Sequence, residues 1–169
     1  LSPEESHYLL RVCRARVGDR ATVTDGRGGV AIVRLDSMRG SVAAEIESVE
    51  RAQRQRRAWV WCGAPEGDRA DWLVEKLAEL GVEAWQPVQC ERGVWKSRAG
   101  QLERWRRLAI AALRQSRRSH LLEIREPLDL VGALARVPQG ALLHACSLRG
   151  GRPTELRAAL AVGAIGPAA

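Results

Sequence analysis

The 169-residue sequence predicts an α/β protein that consists of two domains. Residues 1–50 alternate apolar and polar side chains in short runs, which is typical of half-buried strands. Residues 58–169 place nearly continuous apolar runs between helical ones, which indicates a parallel sheet covered on both faces. A polar, arginine-rich run at 51–57 separates the two regions. We therefore expect a small, mostly β domain, a linker and an α/β domain in that order.

The first domain is predicted to begin with a helix. Ser2 is a suitable N-cap, Pro3 suits the first helical position, and Glu5 completes a capping box. The apolar side chains that this helix can pack against the domain are Leu9, Leu10 and Val12.

A β-hairpin is predicted next. Ala21 and Val23 alternate with polar residues before the turn, and Val30 and Ile32 do so after it. The dipeptide at 25–26, Asp-Gly, strongly indicates a hairpin, and Gly28 and Gly29 loosen the turn further. The glycines of "GRGG" could instead cradle a phosphate, but no helix follows whose N-terminus could help to hold one, so the turn is the better interpretation. The segment "SVAAEIESVER" predicts a third strand.

The second domain reads as alternating strands and helices. "AWVWCGA" (58–64) predicts a buried strand, and "GDRADWLVEKLAELGV" a helix capped by Asp68 and ended by Gly81. "EAWQPVQ", "GALLHACS" (140–147) and "ALAVGAIG" (159–166) predict further strands. Parallel sheets bind ligands beyond the carboxyl ends of their strands, which here are the loops "ACSLRGG" and "GAIGP". The side chains expected on the inner face of the first helix are Trp72, Leu73, Leu77 and Leu80.

Positive charge is concentrated in one segment. Residues 92–118 hold nine basic residues and one acidic residue, a net charge of +8, whereas the whole chain carries +7. Within it, "RWRRLAIAALRQSRRSH" (104–120) predicts an amphipathic helix. A solvated helix face usually interleaves both signs of charge, so a polyanionic partner is favoured over a merely solvated face. The apolar stripe comprises Leu102, Trp105, Leu108, Ala109, Ala112 and Leu113, and the opposite face carries Arg104, Arg107, Arg114 and Arg118.

Other features limit the class of protein. The apolar runs are much shorter than a membrane span, so no membrane association is expected. The cysteines lack metal-ligand spacing, and we expect buried or partly buried thiols in a reducing cytoplasm and no metal site. These cysteines are Cys13, Cys62, Cys90 and Cys146.

Several stretches together resemble the RsmE family of 16S ribosomal RNA uridine-N3 methyltransferases. They are "EGDRADWLVEKLAELGVEAWQPVQCERGVWK", "ERWRRLAIAALRQSRRSHLLEI", "AIGP" and the N-terminal "SHYLLRVCRARVGDRATVTDGRGG". The resemblance runs along the whole chain. Three positions depart from the usual family residues: Glu66 stands in place of lysine, Gly93 in place of serine and Arg117 in place of glycine.

The resemblance implies a fold and an activity. The N-terminal domain would be a PUA-like, RNA-binding β-barrel, and the second domain a SPOUT-type domain whose C-terminal part forms a trefoil knot. The enzyme would be a homodimer that uses S-adenosylmethionine, without a metal, to methylate N3 of a uridine in the small-subunit RNA. The family continues beyond "IGP", so we expect the C-terminal knot segment to be missing or interrupted here. In the second case, Pro167 and Ala168 would lie much further apart than the roughly 3.8 Å between adjacent Cα atoms.

The family's chemistry points to candidate site residues. A positive side chain near the uracil oxygens would favour the deprotonated N3, and Arg118 and Gln115, one helical turn apart, have suitable side chains for catalysis. Alternatively, Gln115 caps the helix and Arg118 contacts phosphate. The expected cofactor-binding residues are Ala145, Cys146, Ser147, Leu148, Gly163, Ile165, Gly166 and Pro167. The expected RNA-binding residues are Arg11, Arg14, Arg16, Arg92, Lys96, Arg104, Arg107, Arg114 and Arg118.

Two alternatives remain open at this point. The first is an RNA-binding protein without methyltransferase activity, which an incomplete knot would permit. The second is an unrelated nucleotide-binding α/β enzyme, which is less favoured because the sequence has neither a GxGxxG motif nor a P-loop.

Overall fold

The computed structural model of the chain describes residues 1–37, 41–54, 57–91, 93, 95–146 and 160–164, with residues 142, 145, 146 and 160–164 described by their backbone alone. The chain divides into two compact units, Leu1–Gln53 and Arg54–Ala169. None of the helices in these described ranges is long and apolar enough to cross a membrane.

The first unit is an antiparallel sheet with one helix. The elements are α1 (Pro3–His7), which continues as a π-helical turn (Tyr8–Val12), β1 (Arg20–Thr24), β2 (Gly29–Ser37) and β3 (Ala43–Arg51). The strands pair in the order β1-β2-β3. The described strands of this unit form an open sheet, so closure into a barrel stays a prediction.

The predicted start of α1 is confirmed. Ser2 Oγ accepts a 3.2 Å hydrogen bond from the backbone N–H of Glu5, and Pro3 begins the helix. Leu9 and Leu10 are partly buried against the core of this unit. The prediction for Val12 is wrong, because its side chain is 64% exposed. The π-helical turn adds a residue to each turn, which rotates Val12 away from the sheet.

The hairpin between β1 and β2 is confirmed, with Thr24 opposite Val30. The carboxylate of Asp25 accepts hydrogen bonds from the backbone N–H groups of Arg27 (2.7 Å) and Gly29 (2.8 Å), so it organises the turn itself. These bonds lower the pKa of Asp25, led by the one from Arg27.

The inner face of β2 is not the one that carries Val30 and Ile32. Val33 and Leu35 are buried and Ile32 is 41% exposed, so the odd-numbered residues face the core. The core of this unit consists of Val33, Leu35 and Val42. Ser6 lies buried beside it, and its hydroxyl accepts a 3.0 Å hydrogen bond from the backbone N–H of Val42.

The second unit is the predicted parallel α/β structure. Its elements are β4 (Ala58–Cys62), α2 (Asp68–Leu80), β5 (Ala84–Gln89), α3 (Gln101–Ser116), β6 (Glu123–Ile124), β7 (Leu128–Asp129), α4 (Leu130–Leu134), β8 (Leu142–Cys146) and β9 (Leu160–Ala164). The strand order is β6-β5-β4-β9-β8, with β7 also beside β5, and every pair is parallel.

Helices cover both faces of this sheet. On one face α2 and α3 pack on Trp85, which is fully buried. On the other face Ala133 of α4 packs against Trp59 and Trp61. α4, β6 and β7 were not predicted, because strands of two residues and a helix of five are too short to show a strand or helical period.

The predicted orientation of α2 is partly wrong. Leu77 is buried as expected, but Trp72 is 61% and Leu80 72% exposed. The buried stripe is instead Ala70, Val74, Leu77 and Ala78. Two alanines in this stripe let α2 approach both the sheet and α3 closely, which the larger side chains would prevent.

Of the two predicted ends of α2, one is wrong and one is confirmed. Gly67 occupies the N-cap position and no side chain caps the helix, so the predicted cap at Asp68 is wrong. Gly81 ends the helix in the left-handed conformation with φ of 77°, as predicted.

The apolar stripe predicted for α3 is confirmed. Trp105, Ala109, Ala112 and Leu113 are buried, and Leu102 and Leu108 are partly buried against the same core. Arg117 ends α3 with φ of 53°. This left-handed conformation favours glycine, which accounts for the glycine that the RsmE family usually has at this position.

Candidate functional site

A cleft of about 570 Å³ lies where α2 and α3 begin. Residues 66–68 and Asp71 form the α2 wall, and residues 95–96 and 98–101 with Arg104 and Arg107 form most of the α3 wall. We call it the α2–α3 cleft. It lies within the second unit, so its shape depends on one folded body.

An ion pair between Asp71 and Arg104 joins the two walls. The Asp71 side chain is 18% exposed and that of Arg104 is 61% exposed. Arg104 was predicted to lie on the basic face of α3 and to bind RNA. In the structure its charge is paired with a carboxylate on the neighbouring helix α2. A helical wheel cannot show this contact, since the partners lie 33 residues apart.

Three of the exposed cations on the α3 wall lack an acidic partner in the described ranges. Lys96, Arg98 and Arg107 have no carboxylate within ion-pair distance among the residues that the structure describes. The structure thus brings together two predicted RNA-binding residues, Lys96 and Arg107, and adds Arg98. Arg98 could have been predicted from the sequence, since it lies between Lys96 and Arg104, which were both predicted to bind RNA.

Trp95 supplies an aromatic surface to the same wall. Its indole Nε1 donates a 3.2 Å hydrogen bond to Gln101 Oε1, and its ring lies 5.8 Å from that of Trp105 at an angle of 31°. Trp105 in turn contacts Trp85, with ring centroids 4.9 Å apart. Trp95 is therefore held in place by the core, although the sequence analysis gave it no role.

Carboxylates on the α2 wall oppose these cations. Glu66 and Asp68 line the cleft, and neither has a cationic partner within the described part of the chain. The cleft therefore has one acidic wall and one basic wall, and an anion would be attracted to the α3 wall alone.

Arg118 lies at the other end of the helix pair. Its Nε donates a 3.0 Å hydrogen bond to the carbonyl oxygen of Glu79, in the last turn of α2. Because Arg104 contacts the first turn of α2 and Arg118 the last, the two helices run side by side in the same direction. The pair is about 20 Å long at 1.5 Å per residue, so these two arginines do not belong to one local site. Gln115, the other catalytic candidate, is exposed near Arg118 on α3.

The strands that carry the predicted cofactor loops are neighbours, as predicted. In the parallel pair β8 and β9, Ala145 lies opposite Gly163 and Cys146 opposite Ala164. The carboxyl ends of these two strands therefore lie at the same edge of the sheet. The remaining predicted cofactor residues, Ser147, Leu148, Ile165, Gly166 and Pro167, lie outside the described residues, as do Arg92 and the Pro167–Ala168 spacing.

The other predicted RNA-binding residues of the first unit are exposed. Arg11, Arg14 and Arg16 surround the end of the π-helical turn, where Arg14 adopts a left-handed φ of 52°. The backbone N–H of Arg16 bonds to the carboxylate of Asp19 at 2.7 Å, which fixes the turn into β1. Arg114 of α3 is half-buried and makes contacts within the protein.

The prediction of buried thiols is correct for only one of the three cysteines whose side chains are described. Cys62 is partly buried, and this burial raises the pKa of its thiol. Cys13 and Cys90 are exposed. In the described residues, no group of three histidine, cysteine or acidic side chains could hold a metal ion.

Comparison with known protein families identifies both units. The RNA methyltransferase domain family matches residues 52–167, and the RNA methyltransferase PUA domain family matches residues 1–47. The chain therefore combines an RNA methyltransferase domain with a PUA domain.

Individual relatives of the chain are also ribosomal RNA methyltransferases. Ribosomal RNA small subunit methyltransferase E from Synechocystis is 33% identical over 129 residues, covering 76% of this chain and 43% of the relative. The Bacillus subtilis protein of the same name is 28% identical over 128 residues, covering 72% of this chain and 50% of the relative. The chain thus spans about half the length of these curated relatives.

Two crystal structures resemble the fold closely. The methyltransferase E of Neisseria gonorrhoeae, bound to S-adenosylmethionine, has a TM-score of 0.84 at 27% identity, covering 98% of this chain and 72% of that one. A probable rRNA methyltransferase from Porphyromonas gingivalis has a TM-score of 0.84 at 26% identity, covering 99% and 74%. The chain belongs to the ribosomal RNA small subunit methyltransferase E family.

Proposed function

We propose that this chain takes part in methylating N3 of a uridine in 16S ribosomal RNA, with S-adenosylmethionine as methyl donor. One observation carries the proposal: β8 and β9 are parallel neighbours, so their carboxyl ends, which two glycine-containing sequence segments follow, lie at one edge of the sheet. The match to the RNA methyltransferase domain and the S-adenosylmethionine bound to the Neisseria relative support this assignment.

The residues of this edge suit the cofactor. Gly163 has no side chain, and its neighbour Ala145 has only a methyl group, so the backbone can approach a ligand closely. S-adenosylmethionine supplies a methyl group bound to a positively charged sulfur. The residues proposed to enclose it are Ala145, Cys146, Ser147, Leu148, Gly163, Ile165, Gly166 and Pro167.

The protein must also favour loss of the N3 proton. That proton is weakly acidic, in the range of tyrosine or lysine side chains, so a nearby cation assists its removal. Arg118 and Gln115 are proposed for this role. They precede β6 at the amino edge of the sheet, so in the proposed homodimer they would act on a uridine held at the cofactor edge of the partner subunit. As N3 accepts the methyl group, its proton leaves to solvent and S-adenosylhomocysteine remains.

The partners follow from the same family membership. We propose that the substrate is 16S ribosomal RNA or the small subunit, and that the protein acts as a cytoplasmic homodimer. A SPOUT-type trefoil knot and a closed PUA-like barrel belong to this proposal. RNA contacts are assigned to the exposed arginines of the first unit, Arg11, Arg14 and Arg16, and to the basic residues of the second, Arg92, Lys96, Arg107 and Arg114.

Calorimetric titration with S-adenosylmethionine tests the proposal. The unaltered chain should bind the cofactor, and Gly166→Val should abolish binding while RNA affinity and thermal unfolding stay nearly unchanged. A chain that binds RNA but no cofactor would favour an RNA-binding protein without activity. Loss of RNA affinity and folding together would attribute the Gly166→Val effect to misfolding.

A further inference from the structure

We propose that the α2–α3 cleft binds a phosphodiester of single-stranded RNA along its α3 wall, with the adjoining base against Trp95. This inference rests on the proposed function, because it takes RNA as the ligand. It adds a specific binding site for the RNA on the second unit.

The charges of the cleft select an anion. Lys96, Arg98 and Arg107 are exposed on one wall and have no carboxylate partner among the described residues. Three like charges around one cleft repel one another, and a phosphate would relieve this repulsion. Arginine and lysine both bind phosphate oxygens well. The wall is therefore suited to a polyanion.

Arg104 has a different role from its neighbours. Its guanidinium is bound to Asp71, so it connects the walls and contributes no net charge to the cleft. The predicted arginine face of α3 thus separates into one residue that shapes the cleft and one, Arg107, that is available to a ligand.

Trp95 distinguishes this cleft from a simple basic patch. Its ring is fixed by the hydrogen bond to Gln101 and by contact with Trp105, so little side-chain freedom remains to be lost on binding. Stacking of a base on an aromatic ring is tolerant of sequence and typical of single-strand recognition. The volume of about 570 Å³ is within the range of small-ligand sites and accommodates a nucleotide.

The acidic wall determines the side on which RNA lies. Glu66 and Asp68 repel phosphate, so the backbone should follow the α3 wall. Glu66→Gln should then strengthen binding, because it removes a repulsive charge without adding a contact. Weaker binding by Glu66→Gln would contradict this placement.

The first experiment measures the affinity of the full chain for a labelled single-stranded oligouridylate by fluorescence anisotropy at several salt concentrations. Arg107→Gln is compared with Arg136→Gln, which removes the same charge at an exposed site that follows α4, on the other face of the sheet. Arg107→Gln should weaken binding several-fold and reduce the salt slope by about 0.7, and Arg136→Gln should change neither. Equal effects of the two variants would overturn the proposal.

A combined variant extends this test. Lys96→Gln, Arg98→Gln and Arg107→Gln together should reduce the salt slope by about 2, the sum expected for three phosphate contacts to a single strand. An unchanged slope in a variant with normal thermal unfolding would show that the cleft does not bind RNA.

The second experiment tests the base contact. Trp95→Leu should weaken binding of the oligouridylate roughly five- to a hundredfold, while Trp95→Phe should retain most of the affinity. Both variants keep an apolar side chain against Trp105, and an unfolding curve shows whether each is folded. Equal affinities of folded Trp95→Leu and the unaltered chain would exclude the base contact.

A cofactor titration separates this inference from the function on which it rests. The combined variant should bind S-adenosylmethionine as the unaltered chain does, because the cofactor loops follow β8 and β9. If the unaltered chain binds RNA through the cleft but no cofactor, the proposed activity is wrong and the cleft assignment stands. If it binds cofactor and RNA, but the cleft variants bind RNA normally, the cleft assignment alone is wrong.

Discussion

Arg118 closes the end of α2 through a 3.0 Å hydrogen bond from its Nε to the carbonyl oxygen of Glu79. The last carbonyl groups of a helix have no partners within the helix and carry partial negative charge, so a cation there is favourable. The guanidinium also lies against Gly81. A Cβ atom on residue 81 would lie only 3.0 Å from Arg118 Nη1. A residue proposed for catalysis therefore also has a structural contact.

Replacing Arg118 should separate these two roles. Arg118→Ala loses the hydrogen bond and the helix-end charge, and we expect the free energy of unfolding to fall by about 1 kcal/mol. Arg118→Lys keeps the charge and should lose less. Urea unfolding gives both values. If the Arg118→Lys variant is stable but transfers no methyl group, Arg118 has a catalytic role. If the loss of methyl transfer in both variants is proportional to their loss of stability, the role of Arg118 is purely structural.

Arg117→Gly should stabilise the protein. Arg117 has a φ of 53°, a left-handed conformation that is strained for every residue with a Cβ atom. Glycine removes this strain but has more freedom in the unfolded chain, so we expect a net gain of roughly 0.5 kcal/mol. Ala111→Gly, at an exposed position within α3, is the control and should cost about 1 kcal/mol. A loss of stability in Arg117→Gly would mean that the arginine side chain makes a compensating contact.

The ion pair between Arg57 and Glu83 should make stability depend on pH. Arg57 donates from Nε at 2.8 Å and from Nη2 at 2.6 Å, which connects the residues that precede β4 and β5. The hydrogen bond from Arg57 lowers the pKa of Glu83 below its usual 4.5. The folded state therefore gains stability above this value and loses it as the pH falls through the lower, folded-state pKa.

Acid unfolding of single and double variants measures this contribution. Glu83→Gln should flatten the dependence of the unfolding free energy on pH below about 4.5, and Arg57→Gln should flatten it to a similar degree. The double variant should show little further change, because both substitutions remove the same interaction. Additive changes would attribute the pH dependence to other groups.

The cysteines should differ in reactivity. The thiolate is the reactive form, and burial raises the pKa of Cys62, whereas Cys13 and Cys90 are exposed. Iodoacetamide at about pH 8 should therefore modify Cys13 and Cys90 much faster than Cys62, as measured by peptide mapping at successive times. Equal rates after denaturation are the control. A fast reaction of Cys62 in the folded protein would show that β4 and β5 open readily near their carboxyl ends.

Local features of the sequence determined the class of fold and much of its detail. The 3.6-residue period of α3, the hairpin at Asp25 and the apolar runs of β4, β5, β8 and β9 each depend on neighbouring residues alone, so the sequence was enough to predict them. The family motifs likewise consist of contiguous residues, and the comparisons confirmed the family that they indicated.

The tertiary structure decided which charged and apolar side chains meet. Arg104 and Arg118 bind Asp71 and Glu79 of α2, which lie 33 and 39 residues away in the sequence. The orientation of α2 depends on its packing against both α3 and the sheet. The inner face of β2 was ambiguous, because both faces carry apolar residues and only the covering helix selects one. The α2–α3 cleft also depends on the tertiary structure. Its walls belong to two helices that are distant in the sequence and that pack side by side on the sheet.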